Sequence, residues 1–130
     1  MSKKIKKAMI LDEKGKFNVV EYDTDSYSFL SKSVDGYIER LPITMPINGI
    51  DAWANEEAKF REDLKPSAFL GDGKHIYDFV KGNIVFTRHR GANTVSLMDK
   101  DIEMLSDYLN IGVEHVLSTD TGKWLPLFLY

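Results

Sequence analysis

The sequence predicts a single α+β domain over residues 1–130, built as a mostly antiparallel sheet with two helices packed on one face. Three observations carry that reading. The chain has 130 residues, the length of one ordinary domain. Short β-prone runs bounded by glycine-containing turns recur along it. Only two stretches show helical spacing of apolar residues, and no internal repeat, low-complexity segment or interdomain linker interrupts them.

Residues 5–11 and 17–22 flank Asp12-Glu-Lys-Gly-Lys16 and read as a hairpin. Lysines flank the first run, which predicts an edge strand. Asp23-Thr-Asp-Ser26 supplies capping residues for a short helix with Tyr27, Leu30 and Val34 on one stripe. Asp35-Gly36 ends it, with glycine expected at the positive φ of a helix C-cap. Residues 37–41 read as a strand stopped by Pro42, and 44–49 as a turn-rich connector. In the strand 50–54, Asp51, Trp53 and Asn55 share one face, and Ile50, Ala52 and Ala54 the other.

Pro66 to Leu70 suggests one helical turn with proline at its first position. Residues 75–80 lead through Lys81-Gly-Asn83 into 83–88, the most β-like run and the expected central strand. Residues 88–93 read as an exposed turn. Ser96 or Asp99 caps a second helix over 99–110, with Ile102, Leu105 and Leu109 as its stripe. The tail, 111–130, is too apolar to stay in water; it is expected to pack on its own domain or in a homodimer contact.

The balance of charge limits the function classes. Net charge is −3 and the pI is near 5.6, which argues against broad nucleic-acid binding through counterion release. Five lysines lie in the first fourteen residues, but the apolar stretch behind them is too short for a signal-peptide core. No run is long enough for a membrane span. Cysteine is absent, so there is no disulfide framework or thiolate zinc site, and a reducing cytoplasm is expected.

Catalytic signatures are missing. There is no phosphate loop, no Gly-x-Ser-x-Gly and no paired-histidine helix, and His75, His89 and His115 are widely spaced. No metal or cofactor is expected. The segment Arg88-His-Arg-Gly-Ala-Asn93 is the strongest candidate for ligand binding. Two guanidiniums sharing one face of a strand could fork onto phosphate, with Asn93 beside them. The alternative is an ordinary charged hairpin tip. Tyr37, Trp53 and Trp124 could stack on a base, or pack as sheet residues; for Trp124 the core reading is preferred.

Four stretches then acquire a joint meaning: "VDGYIERLPI" (34–43), "AWANEEAKFREDLKPSAFL" (52–70), "VKGNIVFTR" (80–88) and "SLMDKDIEMLSDYL" (96–109). In that order they resemble a phage- and plasmid-borne family, the domain of unknown function thirty-eight forty-six, over residues 5–110, leaving 111–130 as a C-terminal extension. The family's Gly-Tyr-Ile-Glu falls on Gly36, Tyr37, Ile38 and Glu39. Its Asn-Glu-Glu falls on Asn55, Glu56 and Glu57, its lysine on Lys59, and its Gly-Asn on Gly82 and Asn83. Ala58 departs from the family's glycine, which puts a positive-φ turn there in question.

The resemblance implies a small accessory protein of a mobile element, acting in the bacterial host cytoplasm. By analogy with that setting, the expected function is non-enzymatic antagonism of host defence by sequestering a nucleotide-derived signal. Tyr37 and Trp53 would stack, Asn55 and Asn93 would meet base or sugar, and Lys59, Arg88 and Arg90 would hold phosphates. The rival expectation is an anti-CRISPR-type inhibitor that binds a host defence nuclease directly.

Overall fold

The computed structural model describes residues 4–130; Met1 to Lys3, part of the lysine-rich N-terminal run, lie outside the described residues. The chain order is β1 (Lys6–Leu11), β2 (Phe17–Tyr22), α1 (Ser26–Val34), β3 (Ile38–Arg40), β4 (Ile50–Asn55), a 3-10 turn (Ala58–Phe60), β5 (Pro66–Gly71), β6 (Ile76–Lys81), β7 (Ile84–Arg90), β8 (Asn93–Val95), α2 (Asp99–Asp107), a π-helical turn (Tyr108–Gly112), β9 (Glu114–Leu117) and β10 (Trp124–Leu129). These strands form two sheets. The first runs β2-β1-β7-β4-β3, with β8 added to β7; the second runs β6-β5-β10-β9. Every pairing is antiparallel except β10 with β5. The expected α+β class and antiparallel character hold, and β7 is central as read.

Period-2 alternation decides what each face of the first sheet buries. Ala8 of β1 and Val85 of β7 pack with Leu30 and Val34 of α1. Met9, Leu11, Ile84 and Phe86 point the other way, into a core shared with Ala68, Leu70, Val80 and Phe128 of the second sheet and with Leu105 and Leu109. The two helices therefore lie on opposite faces of the first sheet, which corrects the expectation that both cover one face. The reason is visible in β1 and β7: their side chains are apolar in both directions, so both faces need a cover.

The second sheet is the main departure from the sequence reading. Pro66-Ser-Ala-Phe-Leu forms β5 instead of a helical turn, with proline tolerated as the strand's first residue. The apolar tail supplies β9 and β10, and Phe128 is fully buried against Phe86, ring centroids 6.1 Å apart. Trp124 is 63% exposed, so Phe128 and not Trp124 anchors the tail. The lysine-flanked β1 lies between β2 and β7; the edge strand is β2.

Local chemistry explains the helix ends. Asp25 Oδ2 accepts from Ser28 N at 2.9 Å, the N-cap of α1. At the other end Asp35 takes the left-handed conformation, φ 60°, where glycine was expected. Met98 precedes α2, and its N–H donates to Asp101 Oδ2 at 2.8 Å. Ser96 does not cap the helix; its hydroxyl accepts from Lys7 N and ties α2's approach to β1.

Candidate functional site

Asn55 ends β4 with its side chain turned toward the C-terminus of α1. Its amide nitrogen donates to Val34 O (3.0 Å) and Asp35 O (3.1 Å), and its Oδ1 accepts from Glu57 N (2.8 Å). Asn83 Nδ2 donates to Ser33 O, and Arg61 Nη1 to Asp35 O. The terminal carbonyls of α1 thus find donors from three distant segments. A Cβ on Gly36 would stand 2.6 Å from Asn55 Nδ2, so glycine there makes room for the asparagine. Both amide hydrogens of Asn55 are committed, which leaves it no donor for a base or sugar.

Arg88 also has an assigned partner. Its Nε and Nη2 fork onto Asp101, at 2.7 and 2.5 Å, and the Asp101 side chain is fully buried. The hydrogen bonds from Arg88 hold the Asp101 carboxyl below the usual carboxylate range despite burial. Gly49 clears the space, since a Cβ there would lie 2.7 Å from Arg88 Nη1. Arg88 and Arg90 do share a side of β7, but only Arg90, exposed at the β7–β8 tip opposite exposed Asn93, has an open guanidinium. The exposed turn read over 88–93 therefore begins after Arg88.

Trp53 donates from Nε1 to the buried Thr87 Oγ1 at 2.8 Å and is half-buried on the α1 side of the sheet. Tyr37 is exposed. Beyond α1 on that same side, His89 Nδ1 lies 2.9 Å from Asp51 Oδ2, and the Arg40 guanidinium approaches Asp51 at 3.9 Å. Nothing in the sequence spacing marks that grouping.

The best-formed concavity opens between the β3–β4 end of the first sheet and the β5–β6 end of the second. It has a volume of about 510 Å³, within the usual range for small-molecule sites. Glu39, Glu56, Lys59, Asp78, Lys81 and Tyr130 are among its lining residues. Lys59 Nζ meets Asp78 Oδ2 at 2.5 Å, and Lys81 Nζ donates to Arg61 O at 2.8 Å. Burial pushes Asp78 up, but its bonds from Lys59 and Phe79 N bring it below the usual range. Glu39 behaves in the opposite way. Partial desolvation of this exposed residue and then repulsion from Glu56 raise its carboxyl, and Lys59 offsets part of the rise. Among the described residues no cation lies within ion-pair distance of either glutamate. Ala58 needs no positive φ, since it forms the 3-10 turn that carries Lys59 to this cleft.

Of the residues selected from sequence, only Lys59 and the committed Asn55 line the cleft; Tyr37, Trp53, Arg88, Arg90 and Asn93 do not. Glu39, Glu56, Asp78 and Tyr130 were not selected. The first two were within reach, because they stand in the Gly-Tyr-Ile-Glu and Asn-Glu-Glu segments.

Fold and cleft together define a small two-sheet α+β domain with a ligand-sized opening between the sheets. The chain belongs to the family described as Domain of unknown function (DUF3846), which matches residues 5–110. No curated protein and no solved structure matches it. The matched region stops before β9 and β10, yet β10 sits between β5 and β9 and fills the shared core with Phe128.

Proposed function

We propose that this chain is a capture protein of a mobile element, acting without catalysis against a host defence, and that its capture site is the cleft between the sheets. The observation that carries the reading is a pair of glutamates, Glu39 and Glu56, that repel one another and form no direct ion pair among the described residues, in a cavity of about 510 Å³ that also holds Lys59, Lys81 and Tyr130. A carboxylate kept beside another at an electrostatic cost is suited to receive hydroxyl or amino donors. Lys59 and Lys81 supply the opposite charge: each ammonium has three N–H donors and spends one, on Asp78 and on Arg61 O. The Lys59 side chain is 52% exposed where that of Arg88 is 19%, and Tyr130 adds an aromatic face. That combination suits a nucleotide-derived ligand: sugar hydroxyls or base amino groups on the glutamates, phosphate toward the lysines. The site moves from the 88–93 segment to the cleft because Asp101 already fills the Arg88 fork.

The test is calorimetric titration of cyclic and ADP-ribose-type nucleotides against wild type and Glu39→Gln. The expected result is saturable binding by wild type, weakened about tenfold or more by the substitution, since a hydrogen bond to a charged group is worth about 1.5–3 kcal/mol. Binding unaffected by Glu39→Gln would place the site elsewhere.

One observation favours the second reading, direct inhibition of a defence nuclease. Phe60 is 89% exposed on the 3-10 turn, which Arg61 braces to Asp35 and Asp63. An exposed aromatic beside such ion pairs is suited to anchor a protein interface. Wild type that binds none of the nucleotides, but blocks a nuclease in a manner lost in Phe60→Ala, would replace capture with inhibition.

A further inference from the structure

Among the described residues β2 is an edge strand with a single charge, Glu21, as its protection. It has six residues, Phe-Asn-Val-Val-Glu-Tyr, paired to β1 in unbroken register, with no proline, lysine or bulge. Native edges are commonly blunted by such devices or by shortness. The other edges have them: β3 has three residues and is followed by Leu41-Pro42, β9 has four, and the β5–β6 pairing contains register shifts. The open groups of β2 can be assigned from the hairpin. Asp12 N donates to Lys16 O at 2.8 Å, one pair beyond Leu11 and Phe17. Antiparallel alternation then points Asn18, Val20 and Tyr22 at β1 and turns the backbone N–H and C=O of Phe17, Val19 and Glu21 outward.

We propose that β2 is a dimerisation edge, and that its partner is the β2 of a second copy of this chain, antiparallel about a two-fold axis through Val19. Three outward residues in alternation, centred on Val19, give a self-complementary ladder, as an isologous contact requires. The charges agree with that register. Phe17 faces Glu21 of the second copy, Lys16 faces its Tyr22, and Gly15 faces its Asp23, so the Lys14–Lys16 turn of each copy lies beside Glu21 and Asp23 of the other. Val19, 40% exposed in the single chain, is covered at the axis. β2 and β3 are opposite edges of the first sheet, so the dimer keeps the cleft of each copy open.

The test uses the absence of cysteine from the chain. Facing residues of a hydrogen-bonded antiparallel pair have Cα atoms about 5.5 Å apart, inside the disulfide range of about 4.4–6.8 Å. Val19→Cys should therefore form a covalent dimer under glutathione oxidation far faster than Ile111→Cys, a control at a position 85% exposed. In sedimentation equilibrium, wild type should show twice the chain mass of 14.9 kDa. Val19→Lys, which opposes two ammoniums at the axis, should halve that mass with an unchanged circular dichroism spectrum. A monomeric wild type, a dimer indifferent to Val19→Lys, or equal crosslinking at positions 19 and 111 would each overturn the proposal.

Discussion

Asp101→Ala should be among the most damaging single changes available in this chain, although Asp101 reads in sequence as one more acid in the first turn of a helix. The substitution strips Arg88 of the carboxylate its fork grips, and leaves an arginine whose side chain is only 19% exposed without that counterion. It also removes the acceptor of Met98 N, the bond that starts α2. Breaking a buried pair by deleting one partner costs about 3–5 kcal/mol, against a typical total of about 5–15 kcal/mol for a domain. Arg88→Ala should cost a similar amount, since it leaves the fully buried carboxylate unpaired. Replacing both, as Arg88→Met with Asp101→Leu, should recover most of the loss, because an apolar pair has no charges to desolvate. Urea unfolding followed by circular dichroism measures all four proteins.

The pH dependence carries a sign that can be checked. The folded-state carboxyl of Asp101 lies below its ordinary value, so its contribution is present above the usual carboxylate range and is lost as pH falls through the depressed folded value. Asp101→Ala should remove that part of the acid sensitivity. Losses below about 1 kcal/mol in both single variants would refute the reasoning, and would return Arg88 to a solvated hairpin with its fork free for phosphate.

Two further outcomes follow from the site. Asn55→Ala removes the donor to Val34 O and the acceptor of Glu57 N, while Asp35 O keeps Arg61 Nη1; the buried Val34 O left without that donor costs about 1–3 kcal/mol, read as a fall in urea midpoint. Glu39→Gln should act in the other direction: because the folded carboxyl is raised, ionisation destabilises the native state, so the variant should melt higher than wild type at neutral pH, with the difference vanishing below the ordinary glutamate range. A variant that melts lower at neutral pH would show that Glu39 is a structural partner.

The first sheet was legible because alternation and turn glycines are local signals. The 5–11, 17–22, 37–41, 50–54 and 83–88 runs all became its strands. The second sheet was hidden by two prolines. Pro66 with Ala68 and Leu70 imitates a helix start, but burial of Ala68 and Leu70 against Val80 and Phe128 outweighs that local preference. Pro126 falls inside β10, a strand paired on both sides, where its missing N–H should break a ladder. The register resolves this: β10 pairs with β5 only from Leu127 onward, so Pro126 interrupts no bond to β5. A signal that depends on where pairing with a distant strand begins cannot be read from the segment alone. The same holds for Arg88, whose partner lies thirteen residues on but across a sheet and into a helix.

The residues that carried the family resemblance separate, in three dimensions, into two sets. Gly36, Asn55 and Asn83 form the knot at the end of α1, where among the described residues no buried side-chain nitrogen or oxygen lacks a partner and the glycine makes room for the asparagine. Glu39, Glu56 and Lys59 stand on the cleft side of the same segments. The knot fixes the end of β4 and the turn after it, and so fixes the wall from which Glu56 and Lys59 project. A group whose bonds all end inside the fold is explained by stability; Asn55 is of that kind. Glu39 is of another kind: partial burial and the neighbouring Glu56 raise its carboxyl, and Lys59 offsets part of that rise. Among the described residues it forms no ion pair, so the proposed capture reading gives it a role that the fold does not. The asymmetry gives a direct discriminator between the two sets: substitution in the knot should lower the melting point and weaken ligand binding together, whereas Glu39→Gln should raise the one while weakening the other.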